Sequence, residues 1–316
     1  MKTKSNNYEL YPPITPFNYG FIEVDEHKLY FEECGNPNGI PIIFFHGGPG
    51  SGCYPEHRRL FNPKVFHVVF LDQRGSGRSK PFASTFKNNT DKLIEDFELL
   101  RKKLLIEKFI LFGGSWGSTL ALSYGIKYPN NCIGFVLRGV FLGTKDEVNW
   151  FLYDMGRFYP EAYEKFKNFI VEEKRDNLFD AYYELLFGKD IKSMESAAKN
   201  WVNYENSCSS LFFSKTEEYN SPLSLAKLEC HYFKNDCFLP NNHILKNLYR
   251  ISHLPVRIIQ GRPDVICPPN TAYNLKSKWG DNAKIKLVDD AGHSTFELGI
   301  QKNLMYYLDE ISLMLK

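Results

Sequence analysis

Ser115, Asp264 and His293 are of the types, and in the order along the chain, that build a nucleophilic hydroxyl with its base and its orienting acid. Ser115 sits in Gly113-Gly114-Ser115-Trp116-Gly117, a G-x-S-x-G pentapeptide whose glycines let the backbone approach itself closely. Taken alone, that pattern is an ordinary tight turn. A serine hydroxyl becomes a useful nucleophile only when an imidazole takes its proton. Histidine does so near neutral pH and returns the proton to a departing amine. A carboxylate holds the imidazole in one tautomer and stabilises the imidazolium. Asp264, in Gly261-Arg262-Pro263-Asp264, and His293, in Ala291-Gly292-His293, are the candidates for these two parts. The glycine cluster His46-Gly47-Gly48-Pro49-Gly50 frees backbone N–H groups to point into one space. An N–H of Gly47 or Gly48, and that of Trp116, are the candidate donors to an oxyanion. The cluster lacks the G-K-[ST] ending of a phosphate loop.

These residues work only if the elements around them hold them at one end of a common scaffold. Buried strands are expected at Ile40–Phe45, His67–Leu71, Lys108–Phe112, Ile133–Leu137, Val256–Gln260 and Lys284–Val288. Phe21–Val24 and Lys28–Glu32 read as two further strands around a turn. Leu93, Phe97, Leu100 and Leu104 recur at helical spacing, and helices are expected after Ser115, from about Asn270, and at the C-terminus. Strand and helix thus alternate, and each candidate residue follows a strand. The pattern predicts a mostly parallel sheet covered by helices on both faces, with ligands beyond the strands' C-terminal ends. Ser…Asp…His in that order on post-strand loops is the arrangement of an α/β-hydrolase. Asp146 to Phe238 breaks the alternation, with helical periodicity, many aromatics and no buried strand. It is expected to be an inserted helical cap whose aromatics form its own core. The expected partition is 1–143 and 244–316 for the core and 144–243 for the cap.

Composition narrows the classes of function. The 316 residues, 43% hydrophobic and 24% charged, suit a globular chain with a sizeable core. A formal net charge of +2 gives no electrostatic footprint for nucleic acid or an anionic membrane. No apolar run approaches the ~18 residues that span a bilayer. Met1 to Leu10 is polar, without the apolar stretch of a secretory signal. The seven cysteines are scattered, odd in number and free of any C-x-x-C pair. Reduced thiols in a cytoplasmic protein are therefore expected, not a disulfide framework or a zinc site.

The motifs together resemble those of the proline iminopeptidases, serine peptidases of the α/β-hydrolase fold that remove N-terminal proline. The resemblance spans nearly the whole chain. Tyr11-Pro12-Pro13 is similar to the family's opening, and His46–Gly50 to its H-G-G-P-G loop. Asp72–Ser79 resembles D-Q-R-G-[SC]-G-R-S, Gly113–Ser118 the G-G-S-W-G-S elbow, Leu137–Phe141 the L-R-G-x-F segment, and Ala291–His293 the histidine loop. In the cap, Ala197–Glu205 resembles the family helix that ends in an aromatic and Glu, and Leu228–Phe233 resembles its E-x-H-Y-F segment. The resemblance implies that Glu205 and Glu229 recognise the substrate's free amino terminus, and that Phe141 walls the proline pocket. It also implies a cysteine, Cys267, near the site as a bystander thiol. Arg138 is expected to pair with a carboxylate and keep the pocket in shape. The sequence departs from the family at Pro263, where tyrosine is usual, and at Tyr204, where tryptophan is usual; the latter is expected to adjust the pocket wall.

The expected function is thus release of N-terminal proline from short peptides through an acyl-enzyme. No metal or organic cofactor is called for, and a monomer or small homo-oligomer is expected. The alternative is a related hydrolase of other small amides or esters, for which an apolar cap without paired acids would be expected. A non-catalytic relative would lack a member of the triad. Epoxide and haloalkane chemistry needs an aspartate at the elbow, which Ser115 excludes.

Overall fold

Short runs rich in Ile, Val and Phe become the strands, because β-branched and aromatic side chains fit a pleated surface covered on both faces. The computed structural model describes residues 8–211 and 222–314. In it β1 (Asn18–Val24), β2 (His27–Gly35), β3 (Ile40–Phe45), β4 (Phe66–Leu71), β5 (Phe109–Ser115), β6 (Cys132–Val140), β7 (Val256–Gly261) and β8 (Ala283–Val288) form one 8-stranded sheet. The strand order is β1-β2-β4-β3-β5-β6-β7-β8. β1 pairs antiparallel with β2, and β2 antiparallel with β4; the remaining pairings are parallel. β8 lies at the edge and turns Lys284 and Lys286 outward, as an edge strand does to discourage further pairing.

Around the sheet run α1 (Pro55–Arg58), α2 (Thr90–Lys103), α3 (Trp116–Lys127), α10 (Pro269–Trp279) and α11 (Leu298–Met314). Between β6 and β7 come α4 (Lys145–Asn149), α5 (Pro160–Asn168), α6 (Leu178–Leu186), α7 (Ile191–Ser209), α8 (Pro222–Lys234) and α9 (His243–Asn247). α2 starts where the Asn89 side chain accepts the Lys92 N–H at 2.9 Å, and it ends in Arg101-Lys102-Lys103, which suits the helix dipole. α3 is buried from Trp116 to Ile126. A helix covered all round needs no amphipathic stripe, and its sequence has none. Alternation along β3 sends Ile43 and Phe45 to one face, against Phe97 of α2 and Tyr124 of α3. Ile42 and Phe44 point to the other, with Leu304 and Leu308 of α11.

The segment between β6 and β7 contains no strand among its described residues. α7 packs on α5, α6 and α8. Phe166 stacks on Tyr182 at 4.3 Å and on Tyr204 at 4.6 Å, so the aromatics form a local core as expected. Tyr204 therefore faces into that core, and the expectation that it trims the pocket wall is not met. Several contacts seat this layer on the sheet domain, the following among them. Ser224 Oγ donates to Gly50 O at 2.9 Å, Tyr232 Oη to Asn88 Oδ1 at 2.8 Å, and Trp150 Nε1 to Val265 O at 2.6 Å.

Candidate active site

β5, in the middle of the sheet, ends on Ser115, which has φ 55° and ψ −129°. A non-glycine residue at positive φ is strained and persists only where its surroundings enforce it. The flanking glycines show how. A Cβ on Gly113 would lie 2.2 Å from Gly117 O, and one on Gly117 would lie 2.0 Å from Phe45 O. Only glycine allows strand and helix to meet this closely. Ser118 Oγ then donates to Ser115 O at 2.7 Å, tightening the first turn of α3.

The loops after β7 and β8 bring Asp264 and His293 together. His293 Nδ1 and Asp264 Oδ2 are 2.8 Å apart, with both residues buried. Asp264 is fully occupied as an acceptor. Its Oδ1 takes the N–H groups of Ile266 (3.0 Å) and Cys267 (2.9 Å), and its Oδ2 takes Gln260 Nε2 (3.0 Å) as well as His293. Gln260 also donates to Cys267 O and accepts from Val140 N–H, joining β6, β7 and the aspartate loop. Arg138 has a different partner from the expected carboxylate. Its Nη1 donates to His293 O at 2.8 Å, and its guanidinium lies against Gly114, where a Cβ would come within 2.6 Å. Arg138 stands directly beneath the elbow, so a carbonyl of the histidine loop is what it reaches. Burial raises the pKa of the Cys267 thiol well above the ordinary value. Cys267 thus stays protonated.

On the other side of the elbow, Gly47 faces Ser115: a Cβ there would lie 3.6 Å from Ser115 Cβ and 3.3 Å from Gly114 O. Gly48, at φ +102°, turns toward Leu225 of α8. His46 braces this loop. Its Nε2 accepts the Gln73 N–H at 3.0 Å, and its Nδ1 lies 2.9 Å from Gly47 O and 3.3 Å from the Gly52 nitrogen. Burial pushes the His46 pKa down, which keeps the ring neutral. Gln73 continues the chain of contacts, donating to His46 O at 3.0 Å and accepting from Trp116 Nε1 at 3.1 Å. One side chain thus ties together the two segments that carry the candidate oxyanion donors.

A cavity of about 610 Å³ opens above these residues, lined among others by Gly47, Gly48, Ser115, Arg138, Glu205 and His293. That is room for a small ligand. A second histidine, His57, also lines it, but its pKa is pushed down to about 3, chiefly by burial. Its Nδ1 accepts the Tyr54 N–H at 3.1 Å, so it stays neutral and is no rival base. Phe141 is not among the described lining residues. It is buried, with its ring 6.3 Å from Phe233, and its carbonyl accepts from Ser118 and Thr119.

α7 and α8 bring Glu205 and Glu229 to one place. Trp201 Nε1, one turn before Glu205, donates to Glu229 Oε2 at 2.6 Å. Glu205 Oε2 is buried and has no hydrogen-bond partner. Burial raises the Glu205 pKa to about 7. Burial, and then the charge of Glu205, raise that of Glu229 well above the ordinary value. Glu229 is buried and Glu205 half-buried at the cavity wall, and among the described residues no cation is paired with either, so charge there is costly.

Sequence reasoning missed Gln73, Gln260, Trp201 and His57. Gln260 had a signal, as a polar residue ending an otherwise apolar strand. Trp201 had none, because its partner lies on another helix.

The sheet order, the strained serine and the Asp–His pair on the next loops define an α/β hydrolase. The alpha/beta hydrolase fold family matches residues 40–300. Solved structures agree on the fold: a proline iminopeptidase from Mycobacterium smegmatis superposes with TM-score 0.58 at 16% identity, covering 95% of this chain and 100% of that one. An alpha/beta hydrolase enzyme from a Medee basin deep-sea metagenome library gives TM-score 0.61 at 16% identity, covering 92% and 96%. Within this class the chain belongs to the proline iminopeptidase family. It is 42% identical over 314 residues to the proline iminopeptidase of Arabidopsis thaliana, covering 96% of this chain and 82% of that one. To that of Neisseria meningitidis serogroup A it is 43% identical over 305 residues, covering 94% and 96%.

Proposed function

We infer that this protein is a serine aminopeptidase that releases N-terminal proline from peptides. Ser115 Oγ attacks the carbonyl of the first residue while His293 takes its proton, and Asp264 holds the imidazole. The backbone N–H groups of Trp116 and of Gly47 or Gly48 donate hydrogen bonds to the oxyanion. His293 then gives its proton to the departing peptide amine. Water, deprotonated by the same histidine, attacks the prolyl-enzyme ester and frees proline with Ser115 restored. Glu205 and Glu229 hold the prolyl ammonium, which fixes the first residue over the serine and leaves no space for a residue before it. Arg138 lines the cavity and serves through the His293 carbonyl that its guanidinium holds.

One observation supports this reading above the others: Glu205, a cap carboxyl with one oxygen lacking any hydrogen-bond partner, lines the cavity that also holds Ser115 and His293, and Glu229, held by Trp201, lies near enough to feel its charge. An esterase or lipase has no use for it. The seven free cysteines, all buried, accord with a cytoplasmic setting, and 144–243 is read as the cap. Among the described residues no helix is long and apolar enough to cross a membrane. A monomer or small homo-oligomer acting on short peptides completes the proposal. The test is hydrolysis of a prolyl-arylamide, with fluorophosphonate labelling of the protein in parallel. Ser115→Ala should bring both to background; retained turnover in that variant would contradict the assignment.

A further inference from the structure

The His293 loop has no regular structure of its own, so other groups must hold its backbone. Ser209 O, at the last residue of α7, accepts the N–H groups of both His293 (2.8 Å) and Ser294 (2.9 Å). Arg138 holds His293 O from the sheet side. The third holder is Glu297, a residue that enters no step of the chemistry. Its Oε2 accepts the Gly292 N–H at 2.8 Å, and its Oε1 accepts the Leu211 N–H at 2.8 Å, just past the end of α7. One carboxylate therefore clasps the residue before His293 and the chain leaving the cap helix. The approach is tight: a Cβ on Gly292 would lie 3.2 Å from Leu211 N and 3.3 Å from Ser209 O. The same turn of α7 carries Glu205, whose carbonyl accepts from Ser209 Oγ at 2.9 Å.

We propose that Glu297 is a positioning residue that locks the His293 loop to the C-terminal turn of α7, so that an ammonium bound at Glu205 and the placement of the His293 imidazole are coupled through one rigid piece. The coupling half rests on the amine-site reading above. A carboxylate can serve both N–H groups at once. A glutamine of the same size has one acceptor oxygen, and would set an NH₂ group against the other N–H. A loosened imidazole costs rate more than binding, since a displacement of about 1 Å can cost on the order of 10²-fold.

The experiment compares the wild type with Glu297→Gln and Glu297→Ala, using a prolyl-arylamide as substrate and pyrrolidinium as an unreactive occupant of the amine site. Expected for Glu297→Gln is a kcat lowered about ten- to a hundredfold, with the pyrrolidinium inhibition constant within about twofold of wild type. The retained inhibition also reports that the variant is folded. The low-field proton resonance of the His293–Asp264 pair should shift when pyrrolidinium binds the wild type, and should not respond in the variant. A wild-type kcat in Glu297→Gln would overturn the role of Glu297, as would a kcat loss matched by an equal loss of pyrrolidinium binding. A resonance that responds alike in both proteins would overturn the coupling. Failure of pyrrolidinium to inhibit the wild type would instead contradict the amine site itself, while the kcat comparison still decides whether Glu297 places His293.

Discussion

A buried carboxyl with no partner is an unusual residue to keep, and Glu205 with Glu229 carries most of the specificity in this account. Once an ammonium lies between them, replacing either acid leaves a buried charge poorly paired. Breaking such a pair costs about 3–5 kcal/mol, so kcat/KM for prolyl-arylamides in Glu205→Gln or Glu229→Gln should fall on the order of 10²–10³-fold. Labelling of Ser115 by a fluorophosphonate should be largely kept, since the reagent carries no ammonium. The empty site also leaves a mark on stability. Glu205 is raised from its ordinary 4.5 to about 7 by burial, so between these values the folded chain holds a proton that the unfolded chain releases. Stability from this group is therefore fully present below that window and is lost as pH rises through about 7. The melting temperature of the ligand-free protein should fall with pH across that window, and Glu205→Gln should flatten the dependence. Pyrrolidinium affinity should move the opposite way, rising with pH. At this scale the pairing of Asp264 with His293 was legible because both residues sit in local motifs. Gln73 and Gln260 were not, because each acts by joining segments far apart in sequence.

Among the elements, the β5–α3 turn has the narrowest tolerance. Gly117 meets the backbone of β3, which cannot move aside as a side chain would. Gly117→Ala should destabilise the fold by about 1–3 kcal/mol or more, read as a lower urea midpoint. A variant with an unchanged midpoint would mean that the elbow is looser than described. The strands were readable because unbroken apolar runs ending in glycine have few other fates. The cap was readable as helical and aromatic, but not in detail. Which way Tyr204 faces depends on Phe166 and Tyr182 from neighbouring helices, and helical periodicity alone does not choose among buried neighbours. The carboxylate expected for Arg138 failed for a similar reason: charge type was visible, and the geometry that offers it a carbonyl was not.

Over the whole molecule, function comes from apposition. In the proposed function the sheet domain offers an acyl-transfer centre, and the helical layer adds the acids that restrict it to a chain's first residue. α8 joins the two directly, because its Ser224 backbone comes so close to the glycine loop that a Cβ on Gly50 would lie 2.5 Å from Ser224 O. The mostly parallel sheet and its enclosing helical layers followed from the alternation of elements. The meeting of Glu205 with Glu229 did not, since α7 and α8 are set against each other by packing that no spacing reveals. The most direct measurement is kcat/KM on two substrates differing in one group, a prolyl-arylamide and its N-acetyl derivative. The acetylated compound has no ammonium and needs space where Glu205 and Glu229 stand. The account predicts that it is turned over at least on the order of 10²-fold more slowly. Comparable rates on the two substrates would contradict it.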